Sequence, residues 1–439
     1  MEVFMRLELA TFPVKEVRFD KETRYHQGLL EIDKEEVLAP ILSDPKILSA
    51  DLELAFPNTP VRIVRIRDVV EPRVKISGRG TVFPGVLGPP ETVGEGRTHR
   101  LSGVTVMASA EYKPTILSGV SAQNAGMVDM WGPGALWSPF ASLINLVLVL
   151  KLVDTVTEVE AHASIQQAEF KLAQRLAETT RGHISDETEI FDLSEVDPSL
   201  PKVVYILTCL INRGEPVTWG IYYGLPIRES LSTFLHPNEL LDGALTADAR
   251  RGDGMMPNTW DWMNNPVVLR LLREHGKQLN FLGVILQRTP WENEFGKQVG
   301  ANCSAQIAKV IGADGAIITR TNPSGNNLVD LMLIVQACEK KGVRTVLITP
   351  EHSGAEGTEL PLLFSTPEAT AIVSTGNMNR GIDLPAPARV IGCRRGEMVS
   401  TYPQQKPFSP WEALALERII DISGGVDWLG YMHHTCVPS

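Results

Sequence analysis

Residues 252–266 read GDGMMPNTWDWMNNP, which brings Met255, Met256, Trp260, Asp261 and Trp262 together among backbone breakers, with Asn264 and Asn265 closing the stretch. Aromatic faces beside a carboxylate suit an organic cation, above all a quaternary ammonium, at about 0.5–2 kcal/mol per ring depending on desolvation. Methionines conform readily to irregular apolar shapes. Gly252, Gly254, Pro257 and Asn258 argue against a continuous helix or strand, and the apolar positions follow neither period. In a strand Trp260 and Trp262 would share one face, with Asp261 opposite. Two readings stand. One is a loop lining a pocket; the other is a plug that folds its aromatics into the core.

Other reactive groupings carry less. GAEGTE (354–359) lacks the lysine of a phosphate loop, and GVLGPPETVGEG is broken by prolines. His433, His434 and Cys436 are metal-capable, but adjacent histidines in a strand point to opposite faces and no further ligands cluster with them. A frayed chain end is expected there, and no metal site is expected anywhere. Asn302-Cys303 is a pair in which sulfur can attack the preceding carbonyl. The surrounding ANCSAQIAKVIG instead predicts Asn302 as a helix N-cap and Cys303 as a packed first-turn residue. Arg97, Thr98 and His99 lie in a glycine-rich loop, as does Arg73 after Pro72. These are candidate pocket residues, or arginines paired with a carboxylate such as Glu71 or Asp129.

The elements that must position these groups fall into an α/β pattern. The first 140 residues predict a β-rich domain of short strands and Gly/Pro loops, with one helix around 34–44. VRIVRI (61–66) alternates apolar and basic residues as a half-exposed strand does. Beyond it the grammar is strand, helix, strand. Candidate strands are 143–150, 202–211, 279–286, 315–319, 344–349 and 369–374; candidate helices are 158–180, 302–311 and 326–341. Continuous apolar strands between amphipathic helices imply parallel sheets covered on both faces. The expected organisation is an N-terminal β-rich domain (1–140), two Rossmann-like α/β lobes (141–266 and 267–395), and a C-terminal tail (396–439) with a helix at 410–421.

The totals restrict the function. A length of 439 residues implies two or three domains. A net charge of −11 and a pI near 5.4 argue against nucleic acid or an anionic membrane as the partner. The longest apolar run, 143–150, is too short to span a bilayer, and no secretory signal is visible. Five cysteines without a CxxC pair argue against a disulfide framework or structural zinc, so a reducing cytoplasm is the expected home.

Several stretches together resemble one family: EPRVKISGRGTVFPGV (71–86), TVGEGRTH (92–99), MVDMWGPGALWSPF (127–140), HPNELLDGAL (236–245), MNNP (263–266), HGKQLNFLGVI (275–285) and GADGAII (312–318). It is the proprotein-type component B subunit of glycine, sarcosine and betaine reductases. The resemblance runs from about residue 5 to 395, without the final 40 residues. It implies an oxidoreductase subunit acting beside a selenocysteine- or cysteine-containing partner in reductive C–N bond cleavage. A small selenoprotein, or a thioredoxin-like reductant, is the further partner implied. It also implies cleavage before a cysteine that becomes a pyruvoyl group.

Here the sequence departs from the family. The resemblance puts the Asn-Cys cleavage pair at Ala249-Arg250. Arginine has no heteroatom on its β-carbon and can perform neither the acyl shift nor the β-elimination. The pyruvoyl cofactor is therefore expected to be absent. Asn258-Thr259 could shift through its hydroxyl only in a strained site. Without a Schiff base, the Trp260-Asp261-Trp262 stretch, flanked by Arg250, becomes the candidate for non-covalent recognition of a betaine-like small molecule. The alternatives are a non-catalytic scaffold for the thiol-bearing partner, and a free-standing binding protein.

Overall fold

The computed structural model describes residues 5–111, 126–194, 196–211, 220–227, 232–248, 254–290, 293–392, 398–400 and 406–431. Strands β1 (Ile47–Ala55), β2 (Val61–Val70), β3 (Val104–Glu111), β4 (Gly126–Asp129) and β5 (Ile144–Leu152) form a sheet in the order β4-β2-β3-β5-β1. A four-stranded sheet is built from Leu7–Pro13, Arg73–Ser77, Gly96–Ser102 and Glu187–Phe191. Helix α1 (Lys34–Leu42) starts on Asp33, whose carboxylate accepts from the Glu35 and Glu36 amides. Helix α2 (Glu158–Glu178) opens with a Thr157/Glu160 capping box. It buries Ile165, Phe170 and Leu176 in one core with Leu101, Val106 and Leu148.

The second large sheet contains β6 (Lys202–Ile211), β7 (Ser232–Leu235), β8 (Asn280–Pro290), β9 (Gly315–Thr319), β10 (Arg344–Glu351) and β11 (Ile372–Asn377). Its order is β7-β8-β6-β9-β10-β11, parallel throughout except for the edge strand β7. Two short helices, α3 (Thr259–Met263) and α4 (Pro266–Glu274), precede β8; α5 (Glu294–Val310) and α6 (Gly325–Lys340) follow β8 and β9. Val204 and Ile206 of β6 pack with Ala301, Ala305 and Leu331 of α5 and α6. Tyr205, Leu207 and Cys209 pack on the other side with Trp262, Val268 and Leu272. Both faces of β6 are covered, which is why it reads as an unbroken apolar run.

The α/β class holds, but the strands are distributed differently from the expected two lobes. There is one long parallel sheet. β5, expected to open the first lobe, pairs parallel with β3 and antiparallel with β1. β12 (Arg389–Gly392) returns from the C-terminal part to pair with β2. Hydrophobic periodicity specifies a strand and not its neighbour, so these long-range pairings carried no local signal.

Three local expectations are also corrected. β2 is buried along its whole length. Arg62, fully buried, reaches both oxygens of Asp129, at 2.6 and 2.9 Å, and the carbonyls of Pro385, Pro410 and Glu412. Helix α5 is capped nine residues earlier than Asn302, on Asn293, whose side chain accepts from the Gly296 amide. Segment 410–421 forms a short strand at Leu414–Leu416 and a 3-10 turn at Ile419–Asp421 instead of a helix. Its apolar residues go into existing cores: Ile419 and Ile420 join Trp262 and Tyr205. No helix among the described residues is long and apolar enough to cross a membrane.

Candidate functional site

The stretch 254–265 is more regular than its composition suggests. Asn258 and Asp261 form a reciprocal cap that starts α3, with the Asp261 carboxylate accepting from the Asn258 amide at 2.8 Å. Asn265 caps α4 by accepting from the Val267 and Val268 amides, and its amide nitrogen donates to the Tyr205 hydroxyl at 3.2 Å. The breakers thus act as helix starts. On a helical turn, residues 260 and 262 diverge rather than share a face.

That divergence separates the two tryptophans. Trp260 packs with Ile63, Met130 and Phe140, its ring edge-on to Phe140 at 5.5 Å between centroids. Trp262, only 1% exposed, lies in the core beneath β6 with Met255 packed against that cluster; Met256 is buried as well. The plug reading therefore describes Trp262. Trp260 is different, because its other neighbour is Tyr431, edge-on at 4.8 Å and 42% exposed. Asp261, half-buried, lies on this side.

Carboxylates dominate the surroundings. Burial pushes Asp261 up to about 7, helped by the charges of Asp427 and Asp68 and opposed by hydrogen bonds from Asn258. Asp68 of β2 is pushed up to about 6 by burial, against hydrogen bonds from Thr259 and Val69, and Asp248 raises it further. Glu169 of α2 is held well above the carboxylate range by burial and by Asp68. The Thr259 hydroxyl donates to Asp68 and accepts from the Ala247 amide at 2.9 Å. His162 of α2 places Nδ1 3.3 Å from the Asp248 carboxylate. No local sequence pattern marks Asp68, Glu169, His162 or Tyr431, since they come from distant elements.

The cluster brackets residues 249–253. On one side, Gln166 of α2 donates to Thr246 Oγ1 at 3.0 Å and to the Ala247 carbonyl at 3.1 Å, next to Asp248. On the other, the Gly254 amide donates to the Ile420 carbonyl at 2.7 Å and its carbonyl accepts from Trp428 Nε1 at 3.0 Å. A Cβ on residue 254 would lie 2.8 Å from the Ile422 carbonyl oxygen, which explains the glycine. Arg250 lies outside the described residues, as do His433, His434 and Cys436.

The other candidates divide. Arg73 is fully buried and comes to the segment: it donates to Glu71 at 2.8 Å, to Asn264 Oδ1 at 2.6 Å, and to the Leu241 carbonyl. It ties the N-terminal part to α3, the structural alternative weighed from the sequence. Arg97 and His99 sit on the strand Gly96–Ser102 rather than in a loop. Arg97 donates to His99 Nε2 at 3.2 Å, and His99 Nδ1 lies 2.9 Å from Thr180 Oγ1. Neither contacts the α3 cluster. Thr98 donates to Asp242, the buried partner of Lys75.

Among the described residues no group of three or more His, Cys, Asp or Glu side chains could hold a metal ion. Nor do the alternative cleavage pairs suit an acyl shift. Asn258 has ordinary extended dihedrals (φ −80°, ψ 170°), and Cys303 lies mid-helix. Cys209 and Cys338 are buried, with thiols pushed up to about 12 by burial.

A doubly wound α/β chain whose polar cluster brackets a short segment ahead of β8 is the class defined by fold and site. The family model for glycine/sarcosine/betaine reductase component B subunits matches residues 5–425, and the chain belongs to that family. The match passes residue 395, so much of the tail shares in it. Glycine reductase complex component B subunits alpha and beta of Acetoanaerobium sticklandii are 33% identical over 397 residues, covering 88% of this chain and 89% of the relative. Two proteins of Peptoclostridium acidaminophilum are similarly close. The betaine reductase complex component B subunit alpha is 34% identical over 401 residues, 88% of each chain. The sarcosine reductase complex component B subunit alpha is 33% identical over 400 residues, 88% of this chain and 89% of the relative. No solved structure matches. The chain is a subunit of a reductase complex of this type.

Proposed function

We propose that this subunit binds a small cationic, betaine-like substrate without covalent capture, at the face formed by Asp261, Tyr431 and the edge of Trp260. The observation carrying this reading is Asp261 itself. It is a partly desolvated carboxylate beside further carboxylates and two aromatic rings, and among the described residues no cation holds it down. A bound ammonium group would relieve that repulsion and gain the aromatic contacts. A trialkylamine is also a neutral leaving group, so it demands less activation than a primary amine.

The pyruvoyl group does not fit this chain. Arg250 cannot generate it, and neither described alternative pair is strained toward cleavage. The reducing thiol or selenol is assigned to a partner subunit, with a small selenoprotein or thioredoxin-like protein accepting or supplying the next step. The buried, weakly acidic Cys209 and Cys338 favour that assignment, since the thiolate is the nucleophile. The scaffold reading draws on Trp262, which is wholly core. Substituting Asp261→Asn in the assembled complex separates the two. Loss of betaine affinity with normal assembly supports the binding role; unchanged affinity and turnover leaves only the scaffold.

A further inference from the structure

The parallel strands of the second sheet run β8-β6-β9-β10-β11, so the connection from β6 to β8 and that from β9 to β10 run in opposite directions. The crevice between the carboxyl ends of β6 and β9 is the topological switch point, where open α/β sheets place ligands. The two strand ends are fixed to each other there. Thr208 donates to the Thr319 carbonyl at 2.7 Å and Thr321 donates to the Thr208 carbonyl at 2.6 Å.

Immediately after β9 comes Arg320, fully buried and making no ion pair among the described residues. Its Nε donates to the Asn322 carbonyl at 2.8 Å. Its Nη2 donates to the Pro323 and Ser324 carbonyls and to His352 Nε2, at 2.9, 3.0 and 2.9 Å. Nη1 is buried with no hydrogen-bond partner among the described residues. Burial alone pushes the guanidinium down to about 9, with no carboxylate opposing it. His352 is pushed down to about 4 by burial and by the charges of Arg320 and Arg418, so it stays neutral and accepts. Asn322, 1% exposed, uses its Oδ1 to accept from the Ser324 amide at 2.9 Å, and its Nδ2 is likewise without a partner among the described residues.

Both unused donors lie where α6 begins. Ser324 caps that sixteen-residue helix by accepting from the Asn327 amide. The helix N-terminus adds its own first-turn N–H groups and the positive end of its dipole. A buried guanidinium is costly unless an anion compensates it. Among the described residues, carboxylates pair with Arg62, Arg73 and Lys297, but none pairs with Arg320.

We propose that Arg320, Asn322 and the N-terminus of α6 form an oxyanion site, binding the carboxylate or phosphate group of a small ligand at the switch point. It stands on different elements from the acidic face of α3 and does not depend on a cation binding there. Charge-assisted bonds from Arg320 Nη1 and Asn322 Nδ2 supply the affinity. Residues 323–326, which lead into α6 beside these donors, are half-buried.

The test is calorimetric titration of the full-length chain with sodium acetate and, separately, inorganic phosphate, against sodium chloride at matched ionic strength. The wild-type chain is expected to bind at least one oxyanion saturably, and the tighter of the two names the ligand class. Asn322→Asp keeps the oxygen that accepts from Ser324 and places a second carboxylate oxygen where Nδ2 was. It is expected to weaken oxyanion binding about tenfold or more while its melting temperature holds or rises, because the new charge satisfies Arg320. Absence of saturable binding to the wild-type chain overturns the proposal, independently of how any variant folds. So does a variant that binds as the wild type does.

Discussion

Asn at position 261 retains an oxygen that can accept from the Asn258 amide, so Asp261→Asn deletes a charge while leaving the cap. A unit charge about 5 Å from a bound ammonium contributes roughly 3 kcal/mol at an effective dielectric of about 20. Solvent on the Tyr431 side screens about half of this, which leaves an expected affinity loss of about tenfold. The pH dependence is more diagnostic. With Asp261 titrating at about 7, roughly half of the free molecules carry its proton at pH 7. A bound cation favours the carboxylate, so betaine binding releases up to about half a proton there and weakens as pH falls below 7. Stability runs the other way. The folded value lies above the ordinary carboxylate value, so this contribution is present below pH 4 and lost as pH rises through 7. The three-unit displacement corresponds to about 4 kcal/mol, or about 2 after discounting for partial exposure. The Asn variant is thus expected to be the more stable protein at pH 8. Calorimetry in buffers of different ionisation enthalpy measures proton release, and urea titration measures stability. If the variant binds betaine within about twofold of wild type and proton release persists, the carboxylate is not the recognition group.

Trp262→Ala is expected to cost about 3–5 kcal/mol in urea unfolding, as core aromatics do. Trp262→Phe should cost far less, because Nε1 is buried without a partner and nothing polar is lost with it. His99 is pushed down to about 4 by burial and by Arg97 and Arg181, so it destabilises the folded chain as pH falls from 6.5 toward 4. His99→Gln should reduce that acid loss by up to about 2 kcal/mol at pH 5, read as the difference in urea midpoints at pH 7 and pH 5. Intact mass spectrometry is expected to give one species near 48.2 kDa that takes up neither borohydride nor hydrazine. A borohydride or hydrazine adduct, or two fragments meeting at residue 250 with a keto group on the downstream one, would overturn that expectation.

Much of the architecture was readable because it is local. Helix α2 lies within the span its periodicity marked, and β9 matches its predicted limits, since a buried parallel strand must be apolar on both faces. The motifs 71–86 and 236–245 carried the family for a related reason: Arg73 bonds to Glu71 and Leu241, so both stretches are bound to one buried network. The site was less legible. GDGMMPNTWDWMNNP read as irregular because its caps and its breakers are the same residue types, and only the hydrogen bonds of Asn258 and Asn265 distinguish the two.

By itself the sequence determined the α/β class and the family, because each depends on residue type or short-range period. Tertiary structure decided which strands pair, that Trp260 and Trp262 face different cores, and that Asp68 and Tyr431 flank α3 with Glu169 beyond Asp68. It also decided that Arg320 is buried with no carboxylate partner among the described residues. Pairing, burial and desolvation are properties of groups brought together from opposite ends of the chain, and no window along it contains them.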